Sequence, residues 1–177
     1  MKLVKVGEFR ILSSTAVISD PCYSIGMWCQ GTLENVKRGI WSALVLIGKD
    51  DCIAKLQAFH GRKVNAYEAA IWEQVPYEIG VDSGQCGIFA STHYRDDDAV
   101  KFVARLGTEV VCADEPWYSI CCDRTLNTDH RAGIIPYGCV SASGYGDGSY
   151  RCYIQKNDNS QIVGIKIEFI PDECLQA

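Results

Sequence analysis

The sequence predicts an α+β chain that is mainly β: an antiparallel sheet or sandwich built from hairpins, with one or two helices packed on it. Three observations lead there. Apolar and β-branched residues alternate with polar ones at a period of two, Gly, Asp, Asn and Ser recur between the alternating segments, and only one segment carries a clear helix start. With 177 residues, 47% of them hydrophobic, the chain is long enough to bury a core. Residues 1–177 are accordingly expected to form a single globular domain.

From Phe9 to Ser19 the run FRILSSTAVIS reads as one strand that stops at Asp20-Pro21. Residues 40–47 and 52–59 flank Gly48-Lys49-Asp50-Asp51, a connection of hairpin length and composition. Residues 77–82 and 85–91 enclose a third candidate turn. Asp96, Asp97 and Asp98 then precede AVKFVARL, which places acidic groups at the positive end of a helix that Gly107 would terminate. Residues 112–132 show no clear period and read as a long ordered loop containing Trp117, Cys121, Cys122 and His130. The last third reads as hairpins over residues 134–145, 150–155 and 162–170. Its final pair resembles the 40–59 pair closely enough to pose an internal duplication, although any two amphipathic hairpins share such features.

Composition excludes some partners. Lys plus Arg is 17 against 22 for Asp plus Glu, a net charge of −5, and no basic run offers a track for phosphates, so nucleic acid is not expected to bind. No apolar stretch reaches bilayer length and MKLVKVGEFRILSS lacks the pattern of a secretory signal, so the expectation is a soluble, cytoplasmic protein with no membrane partner. The ten cysteines then read as reduced thiols, with Cys139 and Cys152 among those that strand alternation sends inward as small core residues. No Cys-x-x-Cys pair supports zinc.

Three polar loops concentrate residues with chemistry: Ile18–Tyr23, Gly80–Gly87 and Ser143–Tyr150, each with an aspartate beside a strand end. On ISDPCY, Trp28-Cys29, Gly39-Ile40-Trp41, GVDSGQCGIF and SGYGDGSY, the chain resembles domain of unknown function 4241 and related small proteins of bacteria and their phages. The resemblance touches both ends of the chain and little of residues 94–131. It implies a β-rich fold and a cellular setting in which small accessory proteins block a host factor or capture a metabolite, and it supplies no mechanism.

Two functional classes compete for these loops. If Asp20, Asp82 and Asp147 converge, with Cys22, Tyr23, Ser83, Gln85, Tyr145 and Tyr150 around them, they make a polar pocket with aromatic walls for a small molecule. Calcium is the cation such carboxylates and loop carbonyls would suit, and no other cofactor is expected. The competing structural reading has each aspartate capping its own turn. The alternative function is a small hydrolase or transferase using Cys or Asp in the same loops. Asp82-Ser83-Gly84 is similar to a protease nucleophile loop, yet His60, His93 and His130 lie in no matching context. Cys22 or Cys86 would need an imidazole beside it, for which His130 is best placed. Gly144-x-Gly-x-Gly148 lacks the Lys-Ser/Thr and helix of a phosphate cradle. The sequence therefore favours a non-catalytic binding protein for a small molecule, metal ion or host protein.

Overall fold

The computed structural model describes residues 1–62, 71–105 and 114–175. Eleven strands form two antiparallel sheets. The six-stranded sheet has the order β1 (Lys2–Ile11), β4 (Gly39–Ile47), β5 (Ile53–His60), β11 (Ile162–Glu168), β10 (Gly148–Lys156), β6 (Glu73–Val81). The five-stranded sheet runs β3 (Gly31–Glu34), β2 (Thr15–Ser19), β7 (Gln85–Ala90), β9 (Gly138–Ala142), β8 (Ala132–Ile135). Helices α1 (Asp97–Arg105) and α2 (Pro116–Leu126) pack on each other, and a single turn, α3 (Asp172–Leu175), follows β11. The fold is thus α+β and mainly β, as the alternation predicts. No described helix is long and apolar enough to cross a membrane.

Period-two alternation sorts the side chains into layers. Phe9, Trp41, Val45, Leu56, Ile79, Ile165 and Ile167 from the larger sheet meet Ala16, Ile18, Cys86, Ile88 and Cys139 from the smaller one in a shared core. The opposite face of the smaller sheet presents Val17, Phe89, Ile135 and Val140 to Val100, Trp117, Ile120 and Cys121 of the helices. Strand β7 is therefore covered on both sides, and all six of its residues are buried. Cys139 and Cys152 are fully buried, as their strand positions predict.

Glycines permit the helical layer. A Cβ on Gly87 would lie 2.2 Å from the Phe89 ring and 2.6 Å from the Cys139 carbonyl oxygen, and one on Gly138 would lie 2.6 Å from the same ring. Phe89 rests in that space against Tyr94 and Trp117. Arg124 of α2 lies over Gly133, and its Nε donates to the Ile134 carbonyl at 3.0 Å.

The three consecutive aspartates serve separate ends. Asp96 caps α1, accepting from the Asp98 and Ala99 amides; Asp97 accepts from the Trp117 amide at 2.9 Å, at the start of α2; and Asp98 pairs with Lys101. The Asp96 carboxyl is held below its ordinary range, chiefly by its hydrogen bond with His93.

Several sequence expectations change. The run from Phe9 to Ser19 is two strands in different sheets, broken at residues 12–14. The expected turn between residues 77–82 and 85–91 is present, but it crosses between sheets, because β6 pairs with β10 while β7 pairs with β2 and β9. The Gly146–Gly148 turn likewise joins β9 in one sheet to β10 in the other. Residues 116–126, read as loop, are helix α2. The 40–59 and 148–168 hairpins form as expected and lie side by side through β5 and β11. Gly107 and Cys112 fall outside the described residues.

Gly87→Ala is predicted to lose about 1–3 kcal/mol in chemical denaturation, the usual cost of overpacking, since backbone as well as a ring must move. A neutral result would contradict the close packing of Phe89 against β7.

Candidate functional site

Two corners of the chain run side by side at one end of the sandwich. Val81 pairs with Gly148 in the larger sheet and Gln85 pairs with Ala142 in the smaller one, so residues 82–84 and 143–147 both cross between sheets at the same place. Gly84 (φ +70°) and Gly144 (φ +58°) supply the left-handed backbone these corners need, and the Ser143 amide donates to the Gly84 carbonyl at 3.0 Å. The second corner is tied further by Tyr150, whose hydroxyl donates to the carbonyls of Gly146 (2.6 Å) and Ser143 (3.1 Å).

The Ile18–Tyr23 loop reaches the first corner because Ser19 of β2 pairs with Gly87 of β7. Asp20 is 0% exposed, and its two oxygens take four donors. Oδ1 accepts from the Cys22 amide (2.8 Å) and the Ser83 hydroxyl (2.6 Å), and Oδ2 from the amides of Asp82 (2.8 Å) and Ser83 (2.6 Å). Tyr23 donates to Asp82 at 2.6 Å, a bond that raises the pKa of its phenol. Tyr94 and Arg95 bind the same loop from outside: the Tyr94 hydroxyl donates to the Tyr23 carbonyl (2.8 Å), and Arg95 donates to the carbonyls of Pro21 (2.8 Å) and Cys22 (3.1 Å). Burial and the neighbouring Asp20 push the Cys22 thiol up to about 12.

Beside the corners lies a cavity of about 550 Å³, within the roughly 300–1,000 Å³ usual for small-molecule sites. Ser83, Gly84 and Gln85 line it from the first corner, Gly144, Tyr145 and Gly146 from the second, Tyr118, Cys122 and Thr125 from α2, and Cys52 and Arg131 complete the rim. Its polar groups form a connected set. The Thr125 hydroxyl donates to Gln85 Oε1 at 3.1 Å, and Gln85 Nε2 donates to the Cys122 sulfur at 3.4 Å. Tyr118 lines the cavity with Cys122 and Ser83, and burial first, then Cys122, raises its phenol to about 12. It is therefore a neutral donor near pH 7.

Comparison with family models, curated proteins and solved structures finds no match. The arrangement of residues is then the available guide to function.

Of the nine residues singled out in the three loops, Ser83, Gln85 and Tyr145 line the cavity. Asp20 lies behind Ser83 and fixes it, Asp82 is exposed and bonded to Tyr23, and Cys22 is bound to Asp20 through its amide. Asp147 is exposed and does not line the cavity, while Tyr150 braces its own turn. Tyr118, Cys122, Thr125 and Arg131 were missed because they lie in or beside the segment read as loop. Pro116, a favoured first helical residue, was the available sign of α2.

Asp20→Asn replaces an acceptor-only group with one that turns an NH₂ toward N–H donors. It is predicted to cost about 3–5 kcal/mol, the scale of breaking a buried charged network, whereas Asp147→Asn should stay within about 0.5 kcal/mol of wild type. Equal small losses in thermal unfolding would instead mean that Asp20 is an ordinary turn cap.

Proposed function

We propose that the chain is a non-catalytic binding protein that takes a small polar molecule into the cavity between the two sheet-crossing corners and α2. The observation that carries this is the convergence of separated segments on one space: donors and acceptors from Ser83, Gln85, Tyr118, Thr125 and Arg131 face it beside the aromatic wall of Tyr145. Of these, Gln85 and Thr125 are buried and hydrogen-bonded to each other, and oriented polar groups of that kind give specificity while an aromatic wall gives contact area.

The chemistry of the nucleophiles supports binding over turnover. Burial pushes the Cys86 thiol well above its ordinary range, and Cys22 is pushed up as well, so neither offers a thiolate. Ser83 donates to an Asp20 carboxylate that holds three other donors, and no histidine is among the described residues lining the cavity. His130 lines two other depressions, of about 370 and 410 Å³. Asp20, Asp82 and Asp147 are engaged or apart, which favours an organic ligand over calcium.

A bacterial or phage accessory role, in a reducing cytoplasm, belongs to the same reading. The nine described cysteines are unpaired, in keeping with such a compartment. A second, protein-binding reading is favoured by one loop. Ile25, Met27 and Trp28 are exposed there, Trp28 to 91%, while Gln30 Oε1 holds the loop by accepting from the Gly26 (2.8 Å) and Met27 (3.0 Å) amides.

Saturation-transfer NMR on a library of small polar metabolites tests the cavity reading. Ligands should bind wild type and Asp147→Asn alike and fail to bind a cavity-filling Cys122→Trp protein that remains folded. Equal binding to Cys122→Trp would place any ligand elsewhere, and turnover in esterase, peptidase or phosphatase screens that is lost on Cys86→Ala or His130→Ala would replace binding with catalysis.

A further inference from the structure

Strand β1 forms one margin of the six-stranded sheet and pairs with β4 alone, so its other edge has no strand hydrogen-bonded to it among the described residues. Three depressions follow that edge in order. Lys2 lines one of about 370 Å³, Lys5 and Val6 line one of about 410 Å³, and Glu8, Phe9 and Arg10 line one of about 480 Å³. Neighbouring side chains alternate between the faces of a strand, so hollows lined by consecutive residues lie along its edge. The first and second share Asp129 and His130, the second and third share Arg124 and Ile134, and together they make one trough whose far wall is residues 128–137. Ile134 fills the trough floor at Gly7, where a Cβ would lie 2.6 Å from its Cγ1.

The two walls differ in what their backbones still offer. On the far wall the Thr128 hydroxyl donates to the Ala132 carbonyl (3.0 Å) and accepts from the Ala132 amide (3.2 Å), while Arg124 Nε donates to the Ile134 carbonyl. On β1 the amides and carbonyls that point away from β4 meet no strand, the template an extended peptide uses to add itself to a sheet. The bulge between Lys5 and Gly7 limits regular pairing to the residues before it, Lys2–Lys5. The trough is also basic, in a chain of net charge −5. Five permanent cations, Lys2, Lys5, Arg10, Arg124 and Arg131, line it against the carboxylates of Glu8, Asp51 and Asp129. Glu8 is met by Lys5 and Arg62, and Arg124 by Asp123, whereas Lys2, Arg10 and Arg131 have no ion pair among the described residues.

We propose that this trough takes an extended acidic segment of a partner protein, which adds to β1 as an edge strand and sets its carboxylates against these cations. Lysines and a bulge on an edge ordinarily keep other strands away. Here the same charges select the occupant. A second copy of this chain, pairing through β1, would bring the basic side chains of one strand against those of the other, and like charges across a ladder are destabilising. A strand with an acid at every second position meets them with opposite charge, which steers its approach as well as holding it. The trough shares only Arg131 with the 550 Å³ cavity, so the proposal does not depend on what that cavity binds.

Acetyl-Glu-Val-Glu-Val-Glu-amide, titrated into the intact isotope-labelled protein and followed by amide NMR shifts, tests the assignment. Saturable shifts are expected at residues 2–6 and 130–133, with affinity falling about tenfold between roughly 0.05 and 0.5 M salt. Lys2→Gln combined with Arg10→Gln should weaken binding roughly tenfold, the effect of removing two exposed charge pairs, and leave the melting temperature unchanged. Two patterns of backbone N-methylation in the peptide, on its valines or on its glutamates, separate strand addition from charge attraction. One should abolish binding and the other be tolerated, because only alternate amides of an added strand face β1. That comparison uses wild-type protein and stands even where the double variant loses stability. Absence of saturable shifts at millimolar peptide, shifts confined to residues outside the trough, or equal binding of both N-methylated forms would overturn the proposal. So would equal binding of acetyl-Lys-Val-Lys-Val-Lys-amide, or sedimentation as a dimer with residues 2–6 protected from exchange.

Discussion

The buried carboxylate of Asp20 is the interaction on which the loop architecture depends. A carboxylate without solvent is costly unless every lone pair is met, and here four donors from two distant segments meet it. Two of those donors belong to Ser83, so the same bonds that make the charge tolerable set the direction in which the first corner leaves β6. That corner supplies Ser83, Gly84 and Gln85 to the cavity, and its Gly84 carbonyl anchors the second corner through Ser143. One side chain outside the cavity thereby positions two of its walls.

The third wall comes from a different constraint. Helix α2 reaches the cavity only because the smaller sheet is bare where the helical layer lies on it, at Gly87, Gly133 and Gly138. Phe89 fills part of that space and the Arg124 stem another, which sets the position of α2 and hence of Tyr118, Cys122 and Thr125. Packing on one side of β7 and hydrogen bonding at its N-terminal end thus converge on a single site. The buried aliphatic face against the larger sheet provides the rigid base that both need.

What the sequence made legible follows from where its information is local. The β4–β5 and β10–β11 hairpins were readable because alternation, turn residues and pairing partner all lie within about twenty consecutive residues. The corners after β6 and β9 use the same Gly, Ser and Asp chemistry, but their strands pair with distant partners, and turn composition does not reveal a change of sheet. Helix α2 hid because Ser119 and Thr125 are buried beside Trp117, Ile120 and Cys121, so its polar and apolar residues do not separate by face. In the sequence Asp20 stands out only as a carboxylate at a strand end. Its work as a staple became visible only once β2 lay against β7.

Residue-resolved amide hydrogen exchange in wild type and Asp20→Asn tests this dependence most directly. Strong protection of Cys22, Asp82 and Ser83 is expected in the wild type. In the variant these three amides and that of Ser143, on the second corner, should lose protection together, while the β4–β5 hairpin stays protected. Acceleration confined to Cys22, with Ser83 and Ser143 unaffected, would mean that the corners hold themselves and that the Asp20 carboxylate does not organise the cavity.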